Sequence, residues 1–80
     1  MNLFDLQNAV NNKLLIKHYL FLDVLFLPIK VIDITDEYVQ LTGNWINVFS
    51  CKVIDKDCID IQLDHLKNWK LYNINGDNYK

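Results

Sequence analysis

Cys51, Cys58 and His65 recur at intervals of seven residues, with Asp64 beside the histidine. These are side chains that zinc takes as ligands. The spacing lacks the close Cys-x2-Cys knuckle that brings two ligands together, so no metal is expected and the simpler reading is a buried thiol and an exposed histidine. Carboxylates are plentiful: Asp55 and Asp57 flank Lys56, Asp60 and Asp64 follow, and Asp33 lies upstream. A hydrolase built on paired acids needs two of them in a water-restricted cleft with pKa values driven apart. Acids beside a chain reversal serve instead as solvated turn formers. Ser50 is the sole serine and no G-x-S-x-G elbow surrounds it. Cys58 with His65 or His18 would make a nucleophile pair, but nothing in the sequence orients one against the other. Gly43 and Gly76 are the only glycines, which excludes a phosphate-cradling loop. The inventory points to a non-enzymatic protein without a cofactor.

Nucleic-acid binding is the runner-up. Tyr38, Tyr72, Trp45 and Trp69 could form a stacking platform for single-stranded nucleic acid or a small ligand on a small β-barrel, with Lys30, Lys52 and Lys70 nearby. The charge argues against it. The chain has no arginine and a formal net charge of −2, so it lacks the planar fork that reads phosphate and guanine edges and presents a weak electrostatic footprint.

A protein partner fits better. Asp33, Tyr38, Gln40, Lys52, Asp60, Gln62 and Tyr72 are expected on the polar face of a sheet, with Asp55 and Asp57 at a hairpin tip. Tyrosine offers rigid contact area with a polar end, which suits interfaces. The acids would engage a basic surface on the partner.

These side chains must be positioned by a single small domain. Eighty residues bury only about 60–65% of the surface they expose when unfolded. An apolar fraction of 51% supports a folded chain and leaves room for a homodimer to cover what the monomer cannot. Two cysteines make no disulfide framework. They are expected as free thiols in a reducing cytoplasm, with Cys51 a small core residue. The N-terminus lacks the basic stretch and cleavage site of a signal peptide. The apolar run 14–27 carries Lys17, His18 and Asp23 and falls short of the roughly 20 residues a bilayer helix needs, so no membrane span is expected.

Leu3, Leu6, Val10 and Leu14 recur at helical spacing, which predicts a helix over 2–13 with Asn2 as N-cap and Asp5 in its first turn. Residues 14–27 fit helix or strand. The favoured assignment is helix over about 13–22 and strand thereafter, with Pro28 breaking any continuing helix. Residues 29–42 alternate as a hairpin bent at Asp36-Glu37, with Ile32, Ile34, Val39 and Leu41 on one face. Gly43-Asn44 reads as a turn. Residues 45–64 alternate as another hairpin when bent at Asp55-Lys56-Asp57, which puts Phe49, Cys51, Val53, Ile59, Ile61 and Leu63 on one dry face. A short connector, one helical turn with Asp64 as cap, leads to a last strand over 69–74. Residues 75–78 read as a turn and the tail beyond as frayed. The expected fold is α+β: an N-terminal helix, in one or two segments, then about five antiparallel strands in a meander, as an open sheet or a small SH3-like barrel.

Lysine, asparagine and isoleucine codons are rich in A and T, which points to an AT-rich genome and a phage or mobile-element accessory protein. An anti-CRISPR-like inhibitor that blocks a basic surface of a host nuclease would be one instance.

Overall fold

The computed structural model describes residues 1–72. Helix α1 (Leu3–Asn12) opens on a capping box: Asn2 Oδ1 accepts from the Asp5 amide at 2.8 Å, and the Asp5 carboxylate accepts from the Asn2 amide at 3.2 Å. Both bonds satisfy amides that a helix start leaves unpaired. Leu6 and Ala9 form its buried face. The helix ends where Lys13 turns left-handed (φ 55°) and the Leu14 amide donates to Ala9 O at 2.9 Å.

The strands follow: β1 (Leu15–His18), β2 (Val24–Ile34), β3 (Tyr38–Asn47), β4 (Val53–Gln62) and, after a 3-10 helix (Leu63–Asn68), β5 (Trp69–Tyr72). The expected helix over 13–22 is therefore replaced by β1 and an exposed turn. The reason lies in burial. β1 is an interior strand, paired to β2 on one side and β5 on the other, and Leu15 and Ile16 are both fully buried on opposite faces. A strand covered on both faces reads as a continuous apolar run, which periodicity cannot distinguish from a buried helix.

Strands β1 to β4 form the expected antiparallel meander, and β5 completes one open sheet in the order β4-β3-β2-β1-β5. The 3-10 helix must carry the chain from one edge to the other. The seven steps from Gln62 to Trp69 advance roughly 14 Å at about 2.0 Å each. Four inter-strand spacings of about 4.8 Å would set the edges of a flat sheet roughly 19 Å apart. The sheet must curl, and the curl encloses the main core: Leu6, Ala9, Ile16, Phe26, Val39, Leu41, Ile61, Leu66 and Trp69. The Met1 ammonium donates to Leu66 O and Trp69 O, each at 3.2 Å, and ties the N-terminus to this crossing. A second cluster, Leu15, Leu25, Ile46 and Val48, covers the other face, with Leu27 and Tyr72 packed against it.

The hairpin over 29–42 turns where expected. Thr35 Oγ1 accepts from the Glu37 and Tyr38 amides, and Val39 and Leu41 are fully buried. Ile34 lies opposite Val39 as expected, though it is exposed at the strand end, whereas Ile32 is displaced from Leu41 and exposed. Register shifts between Pro28 and Lys30 and between Val31 and Asp33 displace this half of β2, so Val31 is the residue opposite Leu41. Pro28 has no N–H to give the ladder, which is why a strand interior tolerates it beside an irregularity.

Two expected turns are absent. Gly43-Asn44 lies inside β3, with Gly43 opposite Pro28 and Asp57. The glycine is needed for close approach: a Cβ there would sit 2.1 Å from Leu27 O and 2.8 Å from the Phe26 ring. Asp55-Lys56-Asp57 is likewise mid-strand, opposite Trp45, Asn44 and Gly43. The chain reverses earlier, at 48–52, because Asn47 builds the turn: its Oδ1 accepts from the Phe49 and Ser50 amides, both at 2.9 Å, and Cys51 adopts a left-handed conformation (φ 57°). Phe49 (81% exposed), Val53 (56%) and Cys51 consequently lie in water. The dry half of the expected face survives, with Ile61 buried and Ile59 and Leu63 packed against the core. Leu63–Asn68 forms the helical connector, with Gln62 rather than Asp64 at the N-cap position and no side-chain capping bond. The expected continuation of β5 to 74, the turn at 75–78 and the tail lie outside the described residues.

Candidate interaction surface

Directly opposed residues in an antiparallel ladder share a face, and alternate residues of one strand share it too. The register therefore joins Asp33, Gln40 and Asp60 into a row across β2, β3 and β4, with Tyr38 and Gln62 as the next pair. Five of the nine expected partner-binding residues are thus neighbours on the face opposite Val39 and Leu41. The other four are elsewhere. Asp55 and Asp57 oppose Trp45 and Gly43, on the reverse face of the same strand, and are not at a hairpin tip. Lys52 lies in the 48–52 reversal. Tyr72 is half-buried against the second cluster, with Lys17 Nζ 5.9 Å from its ring centre. Slipping the bend from 55–57 to 48–52 is what separates the acids.

Asp33, Asp55, Asp57 and Asp60 are all exposed. The one ion pair among the described residues joins His65 and Asp64 at 4.0 Å, so none of the four has a cationic partner there. Their hydrogen bonds are local. Asp33, Asp55 and Asp57 each accept from the next residue's amide, and Asp57 Oδ2 also accepts from Trp45 Nε1 at 3.2 Å.

That last bond marks a feature the sequence analysis missed. A cleft of about 440 Å³ lies between β4 and the far side of the curled sheet. Its walls are His18 from β1, Phe21 from the following turn, Trp45 from β3, His65 from the 3-10 helix and Trp69 from the start of β5; Ile59 to Gln62 of β4 close the remaining side. Three ring pairs stand nearly perpendicular, Phe21 to Trp45 at 87° and 5.8 Å, Phe21 to Trp69 at 73° and 6.3 Å, and His18 to Trp69 at 74° and 5.2 Å, while His18 is tilted at 42° to Phe21. Edge-to-face contact is the favoured geometry of aromatic quadrupoles and fixes the walls mutually. His18 Nδ1 accepts from the Leu20 amide at 3.1 Å, so in the neutral ring the proton sits on Nε2. Trp45 and Trp69 belong to this cleft, whereas Tyr38 occupies the opposite face and Tyr72 the second cluster, so the four do not form one platform. Among the described residues no lysine lines the cleft. No spacing in the sequence marks it: the turn Tyr19-Leu20-Phe21-Leu22 that supplies Phe21 reads as an apolar run, yet its four side chains are all exposed.

Both thiols are free and exposed, which corrects the placement of Cys51 in the core. Among the described residues no three His, Cys, Asp or Glu side chains are grouped to hold a metal ion, and no helix is long and apolar enough to cross a membrane. No protein-family model matches the chain, and no match emerges among curated proteins or solved structures.

Proposed function

We propose that the protein is non-enzymatic and acts by binding another protein, meeting a basic surface of that partner with the acid-bearing margin of the sheet. The observation that carries this reading is the set of four exposed carboxylates, Asp33, Asp55, Asp57 and Asp60, spread along β4 and the end of β2 with no cationic partner among the described residues. Within β4 they are opposed by Lys56 alone. Uncompensated like charges repel one another in the free protein and are relieved when a basic surface covers them. Exposed apolar side chains nearby, Val53 and Ile54 on the same strand, would add contact area.

A basic groove of that kind is the business surface of a nucleic-acid enzyme. Filling it with carboxylates excludes the phosphate backbone, so the chain would act as a competitive inhibitor. An anti-defence protein of a phage or mobile element, directed at a host nuclease, is the role this chemistry would serve. Capture from host extract followed by competition tests it. The recovered partner should be released by added single- or double-stranded oligonucleotide and should bind Asp33→Asn/Asp60→Asn protein more weakly. A partner retained equally by that variant and indifferent to oligonucleotide would contradict the proposal.

A further inference from the structure

We infer that the aromatic cleft is a receptor for one cationic side chain, lysine or arginine, carried by an extended segment of the partner. This deepens the protein-binding reading and rests on it. Three observations converge. Phe21 stands near-perpendicular to both Trp45 and Trp69, and the three rings line one opening rather than a stacked pile. Ring faces attract a cation through their quadrupole, most strongly for tryptophan. The local charge selects the sign: Asp57, on the same face of β4 as Ile59 and Ile61, is bonded to the Trp45 indole at the rim, and among the described residues no lysine lines the cleft. An anion would find no counter-charge there beyond the two histidines. The backbone completes the site. β4 is the terminal strand of the sheet, and Ile59 to Gln62 of that strand form one side of the cleft. An extended segment laid along an unpaired edge gains main-chain hydrogen bonds and presents alternate side chains to one face. A basic side chain on that face would enter between the rings with its aliphatic stem against them.

The test uses the full chain, labelled with nitrogen-15, and two peptides, Ac-Thr-Val-Lys-Val-Thr-NH2 and its counterpart with norleucine in place of lysine. The lysine peptide should shift the Trp45 and Trp69 indole signals and the amides of Ile59 to Gln62 in a saturable way. It should bind about fivefold more tightly than the norleucine peptide, the scale of a partly exposed cation–π contact. Trp45→Leu should abolish the response. Because that change also touches the core, Asp57→Asn at an exposed position is the second variant; it keeps an oxygen for the Trp45 indole, removes the charge, and should erase the preference for lysine while the spectrum stays dispersed. Equal binding of both peptides, or shifts confined to other residues, would overturn the inference. So would indole signals that move with protein concentration alone, since a second copy would then be filling the cleft. These outcomes leave the acid-margin reading separately testable, because oligonucleotide competition for the partner does not depend on the cleft.

Discussion

Gly43→Ala should be among the most damaging single-methyl additions this protein can receive. The new Cβ would lie 2.1 Å from Leu27 O and 2.8 Å from two carbons of the Phe26 ring. Phe26 is fully buried and cannot swing away without opening the core. The carbonyl is worse, because it belongs to the paired strand β2 and yields only if the strand moves. Overpacking costs about 1–3 kcal/mol where side chains can adjust, so a backbone clash places this variant at about 3 kcal/mol or above. A domain of 60–100 residues loses about 4–8 °C of melting temperature per kcal/mol, giving a drop of roughly 12–24 °C. Thermal and urea denaturation followed by circular dichroism would measure it. Tryptophan emission should change too, because Phe26 packs on Trp45 at 4.8 Å. Adding Phe26→Leu should recover none of the carbonyl component. A Gly43→Ala protein melting within about 2 °C of the parent would refute the close approach and restore Gly43-Asn44 as a turn, where alanine is far cheaper.

Further consequences follow from single contacts. Asn2→Ala removes one half of the capping box and should lower stability by about 1 kcal/mol, seen as a melting temperature about 4–8 °C lower; an unchanged value would contradict the cap. Asn44 Oδ1 is buried without a hydrogen-bond partner among the described residues. Asn44→Val should therefore be neutral or stabilising by up to about 1 kcal/mol in urea titrations, and a loss of more than that would show an unseen partner. Both cysteines are exposed, so two thiols per folded chain should react promptly with a disulfide reagent. One protected thiol would place Cys51 back in the core. Cys51 is left-handed, so Cys51→Gly should be tolerated while Cys51→Val destabilises by about 1–2 kcal/mol.

The parts of the fold that could be read in advance are those where one face is dry and the other wet. The Asn2 cap, the face of Leu6, and the alternation of Val39 and Leu41 with Tyr38 and Gln40 are all of this kind. Reading failed where both faces are covered. Leu15-Ile16 place neighbours in opposite clusters, and a doubly buried strand has no alternation to display; Leu25-Phe26 do the same inside a strand that was expected. It failed again where turn chemistry was ambiguous. Aspartates at 55 and 57 and glycine at 43 are turn formers by type, yet the asparagine at 47 outcompetes them by accepting two amides at once. That displacement moved the bend to 48–52, carried Phe49 and Val53 into solvent, and split the expected acidic face between two sides of β4. The aromatic cleft was illegible because its walls come from β1, the 19–23 turn, β3 and the crossing to β5, which only the curl of the sheet brings together.

The most direct test of the functional reading is the salt dependence of affinity for the captured partner, measured by calorimetry with parent protein and with Asp33→Asn/Asp60→Asn. Exposed charges act over about 10 Å at 0.1 M salt and about 3 Å at 1 M. The parent should lose roughly tenfold or more in affinity across that range, and the variant should start weaker and show a shallower slope. An affinity that holds constant from low to high salt, or slopes that coincide for the two proteins, would contradict the account.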